Sequence, residues 1–125
     1  GLDLVTIEFE NVPLSAARFC AGQLPLLPTV LALATAQDRL AEKELARTLG
    51  IATPAFVRVD SESDLIAAHA RIAGPALLKA RRGGYDGKGQ AMVDSLDGLT
   101  QAWHRLGAVP AILEERIAFE CEVSQ

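Results

Sequence analysis

Between Lys79 and Lys88 the chain gathers four of its twelve basic residues, Lys79, Arg81, Arg82 and Lys88, among Gly83, Gly84, Gly87 and Gly89, with Asp86 as the one acid of the segment. Glycines allow positive φ and bring backbone N–H groups close to a ligand, while lysine and arginine supply charge for an oligophosphate. The chemistry served is phosphate binding under a covering flap. Two better-known phosphate loops do not fit. A Walker A loop needs serine or threonine after Gly-Lys, but Gly89 follows Gly87-Lys88. The pattern GxGxxG would need glycine where Met92 stands, and a helix where the residues read as a strand. A lysine on the strand entering a glycine-rich hairpin is instead the arrangement that lids a nucleoside triphosphate. The plainer reading, a hairpin tip kept soluble by its charges, does not call for four glycines and four cations together.

Such a flap needs two strands and a floor. Ala76 to Ala80 (ALLKA), after the break at Gly74-Pro75, and Ala91 to Val93 read as the strands of a hairpin with an oversized tip. A helix follows from about Leu96 to Leu106, stopped by Gly107, and then a strand, Ala111 to Glu115, ending in two acids. Upstream, Leu4 to Phe9 reads as a strand, with Glu8 and Glu10 on one side of its end. Ser15 is expected to cap a short helix through about Gln23, Pro25 and Pro28 to break it, and Thr29 to open another through about Ala36. Asp38 to Leu49 reads as a third helix, stopped by Gly50. Its stripe of Leu40, Leu45 and Leu49 with Ala41 and Ala46 puts Arg39, Lys43 and Arg47 on or beside the polar face. Ala55 to Val59 alternates as a strand, Ser61 to Asp64 supplies a cap and first-turn acids for a helix through about Ala73, and Phe119 to Ser124 reads as the start of a further strand.

This order predicts a mixed α/β, or α+β, arrangement with at least one hairpin rather than a purely parallel sheet. At 125 residues, half of them hydrophobic and 22% charged, the chain can pack a core, built mainly from small aliphatic residues because only 5% are aromatic. A strand near residue 1 with nothing before it to pair, and another beginning as the chain ends, lead to the expectation of a piece of a larger protein. The net charge of −4 speaks weakly against general nucleic-acid binding. Leu24 to Ala36 is apolar but too short to cross a bilayer and is broken by prolines, so no membrane association is expected. Cys20 and Cys121, far apart and without metal-ligand spacing, read as buried reduced thiols of a cytoplasmic protein. His69 and His104 lack partners at catalytic spacing. From residue types alone, Lys79 also fits an edge-strand solubility residue, Arg39 and Lys43 a solvated helix face, and Glu114 and Glu115 solvent-facing acids.

The stretches TIEFENVP (Thr6 to Pro13), AQDRLAEK (Ala36 to Lys43), LKARRGGYDGKGQ (Leu78 to Gln90) and ILEERIAFECEVS (Ile112 to Ser124) resemble, in that order, the 5-(carboxyamino)imidazole ribonucleotide synthases of purine biosynthesis, which are ATP-grasp enzymes. The resemblance runs over essentially the whole chain, and GGYDGKGQ is its most specific part. It implies an ATP-grasp fold, with residues 1–36 the end of a preceding α/β domain and its linking helix, and 37–125 the first, flap-bearing lobe. It also implies a carbon–nitrogen ligase that uses Mg-ATP and bicarbonate to form carboxyphosphate and carboxylates 5-aminoimidazole ribonucleotide.

Carried over by position, Arg39 and Lys79 would contact ATP phosphates, and Gly84, Tyr85, Asp86, Gly87, Lys88, Gly89 and Gln90 would form the flap. Tyr85 and Asp86 would face the second substrate, with Lys88 offsetting the charge of the transferring phosphate. Adenine and its linker would lie along Glu114, Glu115, Arg116 and Ile117, and Glu122 would accept hydrogen bonds from the ribose hydroxyls. Glu8, Glu10 and Asn11 would lie near the ribonucleotide. Glu115 and Arg116 depart from the smaller or neutral residues of some relatives, a change that backbone contacts to the base should survive. The family pattern continues past Ser124 to the magnesium carboxylates and begins before Gly1. The expectation is therefore a homodimeric parent enzyme with metal ligands outside these residues and no synthase activity in this chain alone. A non-catalytic nucleotide-binding module and a different ATP-grasp ligase are the competing readings.

Overall fold

The computed structural model describes residues 1–84 and 89–121. Its main element is an antiparallel sheet of four strands, β3 (Phe56–Val59), β6 (Ala111–Glu115), β4 (Ala76–Ala80) and β5 (Gln90–Val93), in the order β3-β6-β4-β5. The mixed α/β reading holds. Strands β4 and β5 are the expected hairpin, with Lys79 opposite Gln90 and Leu77 opposite Met92. Two helices, α4 (Glu62–Arg71) and α5 (Leu96–Arg105), cover one face. On that face Val59, Ala76, Leu78, Val93, Ala111 and Leu113 pack against Leu65, Ala68, Leu99, Ala102 and Trp103. Full burial of each leucine among these contributes roughly 1.5–3 kcal/mol over leaving it in water, so this layer fixes the sheet.

Caps and turns then set the strand ends. Asp64 closes the start of α4, its carboxylate accepting from the N–H groups of Asp60 and Ser61 and from the Ser61 hydroxyl, each at 2.9 Å. Ser95 caps α5 through the Gly98 N–H, and Gly107, at φ 86°, turns the chain out of it. The buried Trp103 indole donates to the Val109 carbonyl at 3.0 Å, and the Pro110 carbonyl accepts from the Arg81 N–H at 2.9 Å. These contacts bring the start of β6 to the end of β4, where the glycine-rich segment leaves the sheet.

The first part of the chain departs from expectation in three ways. The strand expected over Leu4 to Phe9 is only β1 (Val5–Thr6), and it has a partner. It pairs in parallel with β2 (Leu26–Leu27), formed between the two prolines that were read only as breakers. Helix α1 (Leu14–Ala21) starts after Pro13, not at a Ser15 cap, because proline's fixed φ suits a helix entry and its missing N–H leaves one fewer donor to satisfy. Ala17, Leu26 and Leu33 of α2 (Val30–Ala36) form a small core of their own.

Helix α3 (Arg39–Thr48) follows, capped by Asp38. Here the expected apolar stripe holds at Leu40, Ala41 and Ala46 but not at its two other leucines. Leu40 is buried against Phe56 and Ile112, but Leu45 and Leu49 are exposed. The inward face carries Lys43 and Arg47, which lie over the Phe56 ring at 6.0 and 4.4 Å from its centroid. At the other end, Phe119 to Cys121 form no strand, and the rest of the strand expected there lies outside the described residues. Neither cysteine is bonded; Cys20 is half-buried, while Cys121 is exposed rather than buried as expected. Among the described residues no helix is long and apolar enough to cross a membrane.

Candidate functional site

The face of the sheet away from α4 and α5 is where the charged candidates meet. Strand register puts Leu77 and Lys79 of β4, Gln90 and Met92 of β5, Ile112 and Glu114 of β6, and Phe56 and Arg58 of β3 on one side. Glu114 is 3% exposed. Its Oε2 accepts from Lys79 Nζ at 3.0 Å, and its Oε1 lies 3.4 Å from Lys43 Nζ without a hydrogen-bond partner. A carboxylate this buried needs such charges, since desolvation alone would make it very unfavourable.

Two cavities flank the Lys79–Glu114 pair. One of about 530 Å³ has Leu77, Met92 and Ile117 as apolar walls and Lys79, Glu114 and Arg116 as its charged rim. The other, of about 350 Å³, lies between α3 and the sheet, lined by Arg39, Glu42, Lys43, Ala46, Lys79 and Glu114. Glu114 and Glu115, treated alike from sequence, separate by strand alternation: Glu115 is exposed and pairs with Ala76 on the opposite face. The N–H of Glu115 donates to Ala55 and that of Arg116 to Pro75, so the sheet already uses both.

At the root of the glycine-rich segment the arginines divide. Arg39 donates from Nη1 to the carbonyls of Ala80 and Gly83, both at 2.7 Å, and from Nη2 to that of Gly84 at 3.1 Å. Its own N–H donates to the Arg81 carbonyl at 3.0 Å. Arg81, counted from sequence among the cations available to phosphate, is committed elsewhere. It binds both oxygens of the buried Asp38, at 3.0 and 2.6 Å, and reaches Asp60 at 3.2 Å. Burial pushes the Asp38 carboxyl up, but the hydrogen bonds and charge of Arg81, with the N–H groups of Leu40 and Ala41, outweigh it and hold the group below its usual range. The Asp38 partnership in turn pushes the Arg81 guanidinium up. Arg82, mostly exposed, lies 3.6 Å from Asp38.

Glu10 and Asn11 line a third cavity, of about 470 Å³, together with Arg39, Gly83 and Gly84. Gln37 fixes this approach by donating to the carbonyls of Glu10 and Val12 at 2.6 and 2.7 Å. Tyr85, Asp86, Gly87, Lys88 and Glu122 lie outside the described residues. Of the remaining candidates, Lys79, Glu114, Glu115, Arg116 and Ile117 come together at the largest of these cavities, Arg39 and Gly84 meet at the loop root, and Gly89 and Gln90 close the hairpin opposite Ala80 and Lys79. Residue-type reasoning missed the Asp38–Arg81–Asp60 network and the second lysine on Glu114.

Residues 44–125 match the ATP-grasp domain family. The chain belongs to the ATP-grasp family. Among ATP-grasp relatives, the N5-carboxyaminoimidazole ribonucleotide synthase of Pseudomonas aeruginosa is 46% identical over 123 residues, covering 98% of this chain and 34% of that protein. The crystal structure of N5-carboxyaminoimidazole ribonucleotide synthetase from Thermus thermophilus superposes with a TM-score of 0.86 at 47% identity, covering 96% of this chain and 32% of that one. The synthase of Aspergillus clavatus, in complex with ADP and 5-aminoimidazole ribonucleotide, superposes with a TM-score of 0.80 at 25% identity, over 94% of this chain and 31% of that one. This ATP-grasp chain therefore spans about a third of the length of the curated relatives it matches.

Proposed function

We propose that these residues are the flap-bearing lobe, and the end of the domain before it, of an ATP-dependent ligase that carboxylates 5-aminoimidazole ribonucleotide. A bicarbonate oxygen attacks the γ-phosphorus of ATP and ADP leaves. The exocyclic amine then attacks the carboxyl carbon of the resulting carboxyphosphate, phosphate leaves, and the amine gives up a proton. The observation that carries this reading is the cavity with Leu77, Met92 and Ile117 as its apolar walls and Lys79 at its rim. Apolar walls suit the faces of a purine ring, and an ammonium beside them suits the phosphates.

In this reading Lys79 serves an ATP phosphate, and the segment Glu114 to Ile117 lies along adenine. Because the N–H groups of Glu115 and Arg116 bond to the sheet, reading of the base edge falls to the carbonyls of this segment and to Ile117. Arg39 shapes the flap root through three carbonyls, and its phosphate role is taken up from there. Tyr85, Asp86 and Lys88 act at the flap tip, Gly84 to Gln90 cover the phosphates, and Glu122 holds the ribose. Glu10 and Asn11, on the cavity beside Gly84, face the ribonucleotide. A boundary at residue 36 is supported by Asp38, which ties the start of α3 to Arg81 at the end of β4. Magnesium would assist phosphoryl transfer from carboxylates beyond these residues. The described residues hold no cluster of three His, Cys, Asp or Glu fit for a metal. A cytoplasmic homodimer completes the proposal, its stoichiometry checked by light scattering.

The test is ADP release from a chain extended to the length of the relatives. Release is expected to require both bicarbonate and 5-aminoimidazole ribonucleotide and to be absent from the 125 residues alone. In the extended chain, Lys79→Ala should cost about 1.5–3 kcal/mol of ATP or transition-state binding. Nucleotide binding without any such turnover would favour a non-catalytic module.

A further inference from the structure

Glu114 is held by two ammonium groups from different elements, and only one of them has a part in the reading above. Lys79 sits on the strand that enters the glycine-rich segment; Lys43 comes from the inward face of α3, half-buried beside Phe56. If Lys79 turns its ammonium to a phosphate, the carboxylate it leaves is 3% exposed. A buried charge stripped of its partner is strongly unfavourable. Lys43 Nζ, 3.4 Å from the orphaned Oε1 and facing the same cavity as Lys79, stands where it prevents that.

We propose that Lys43 is a positioning residue for nucleotide binding: it neutralises the buried Glu114 carboxylate so that Lys79 can exchange Glu114 for a phosphate. The proposal rests on the reading that Lys79 serves ATP. Lys43 itself need not touch the nucleotide. Glu114 steers Lys79 in the free protein, and Lys43 lowers the penalty of releasing it. A lysine on a docked helix turn suits this role, because the packing of Leu40 on Phe56 and Ile112 fixes the turn from which the Lys43 stem reaches Glu114.

The prediction is a thermodynamic cycle read by calorimetric titration of the full chain with ADP and a non-hydrolysable ATP analogue. Lys43→Met should weaken binding about tenfold, and Lys43→Arg should restore it to within about threefold. In a Glu114→Gln background there is no carboxylate to neutralise. Adding Lys43→Met there should change affinity by less than about twofold, because the two sites are coupled. Wild-type affinity in Lys43→Met overturns the proposal. So does a tenfold loss that persists on Glu114→Gln, which would make Lys43 a direct phosphate ligand. Should Lys43→Met alone fail to fold by circular dichroism, Lys43→Gln takes its place in both arms of the cycle, with the same outcomes expected. Absence of nucleotide binding by the wild-type full chain would instead overturn the nucleotide reading itself, and this inference with it.

Discussion

Asp38 caps α3 through the Leu40 N–H and carries the paired hydrogen bonds of Arg81. Asparagine caps a helix about as well as aspartate, so Asp38→Asn can keep the cap at Oδ1 while removing the charge and the second acceptor that Arg81 uses. It should lower stability by about 1.5–3 kcal/mol at neutral pH, measured by urea unfolding. The pH dependence has a definite sign. The Asp38 carboxyl is held below its unfolded value, so the unfolded state binds more protons as acid is added. Its stabilisation is fully present above about pH 4 and is lost as pH falls through the lower folded value. Asp64, held down by the N–H of Asp60, the Ser61 hydroxyl and the Ser61 N–H, acts in the same direction. Asp38→Asn should therefore flatten the acid limb of a stability profile, and an unchanged limb would remove Asp38 from the account. Charge was legible at Arg81 from its type, but its partner was not. Asp38 lies 43 positions away and Asp60 lies 21, and only the meeting of α3, β3 and β4 brings them together.

The hairpin that carries the glycine-rich segment narrows to a neck. Gly89, at φ 81°, has its Cβ position 3.1 Å from the Gly84 Cα, and its carbonyl accepts from the Ala80 N–H. Gly83, at φ 70°, has open space at its Cβ position. Both would be strained as alanine by about 1–2 kcal/mol from φ alone, but only Gly89→Ala must also push the neck apart. Gly89→Ala should thus lower the melting temperature more than Gly83→Ala and weaken nucleotide binding, which parallel thermal melts and titrations would read. The hairpin itself was readable, because alternation on both strands and glycines between them are local signals. Strand β2 was not, since two residues between prolines carry no periodicity and acquire strand geometry only by pairing with Val5 and Thr6. The inward face of α3 was misread for a related reason. Counting leucines favoured Leu45 and Leu49, but the helix docks where Phe56 offers a ring to Arg47 and Glu114 offers charge to Lys43.

At the scale of the molecule, a small core in the first part and a larger one under α4 and α5 lie either side of α3, which packs on the other face of the sheet through Leu40, Phe56 and Ile112. Among the described residues, three buried side chains, Ala17, Leu26 and Leu33, hold the first part, whereas twelve hold the sheet against α4 and α5. Opening free energy follows buried apolar contact, so the smaller part should open first. The amides of Val5 and Ile7, bonded to the carbonyls of Pro25 and Leu27, are the reporters for it. The amides of β6, enclosed between β3 and β4, report the larger part. Native-state hydrogen exchange is expected to proceed about a hundredfold faster at Val5 and Ile7 than along β6, corresponding to about 3 kcal/mol. A core truncation gives the sharper form of the test. Leu113→Ala removes a fully buried side chain and should reduce the opening free energy of β6 by about 2–5 kcal/mol. If the two parts open separately, exchange at Val5 and Ile7 stays at its original rate in that variant. Equal acceleration at both sets of amides would mean one cooperative unit, with the Asp38–Arg81 and Gln37 contacts coupling the cores more tightly than their sizes imply.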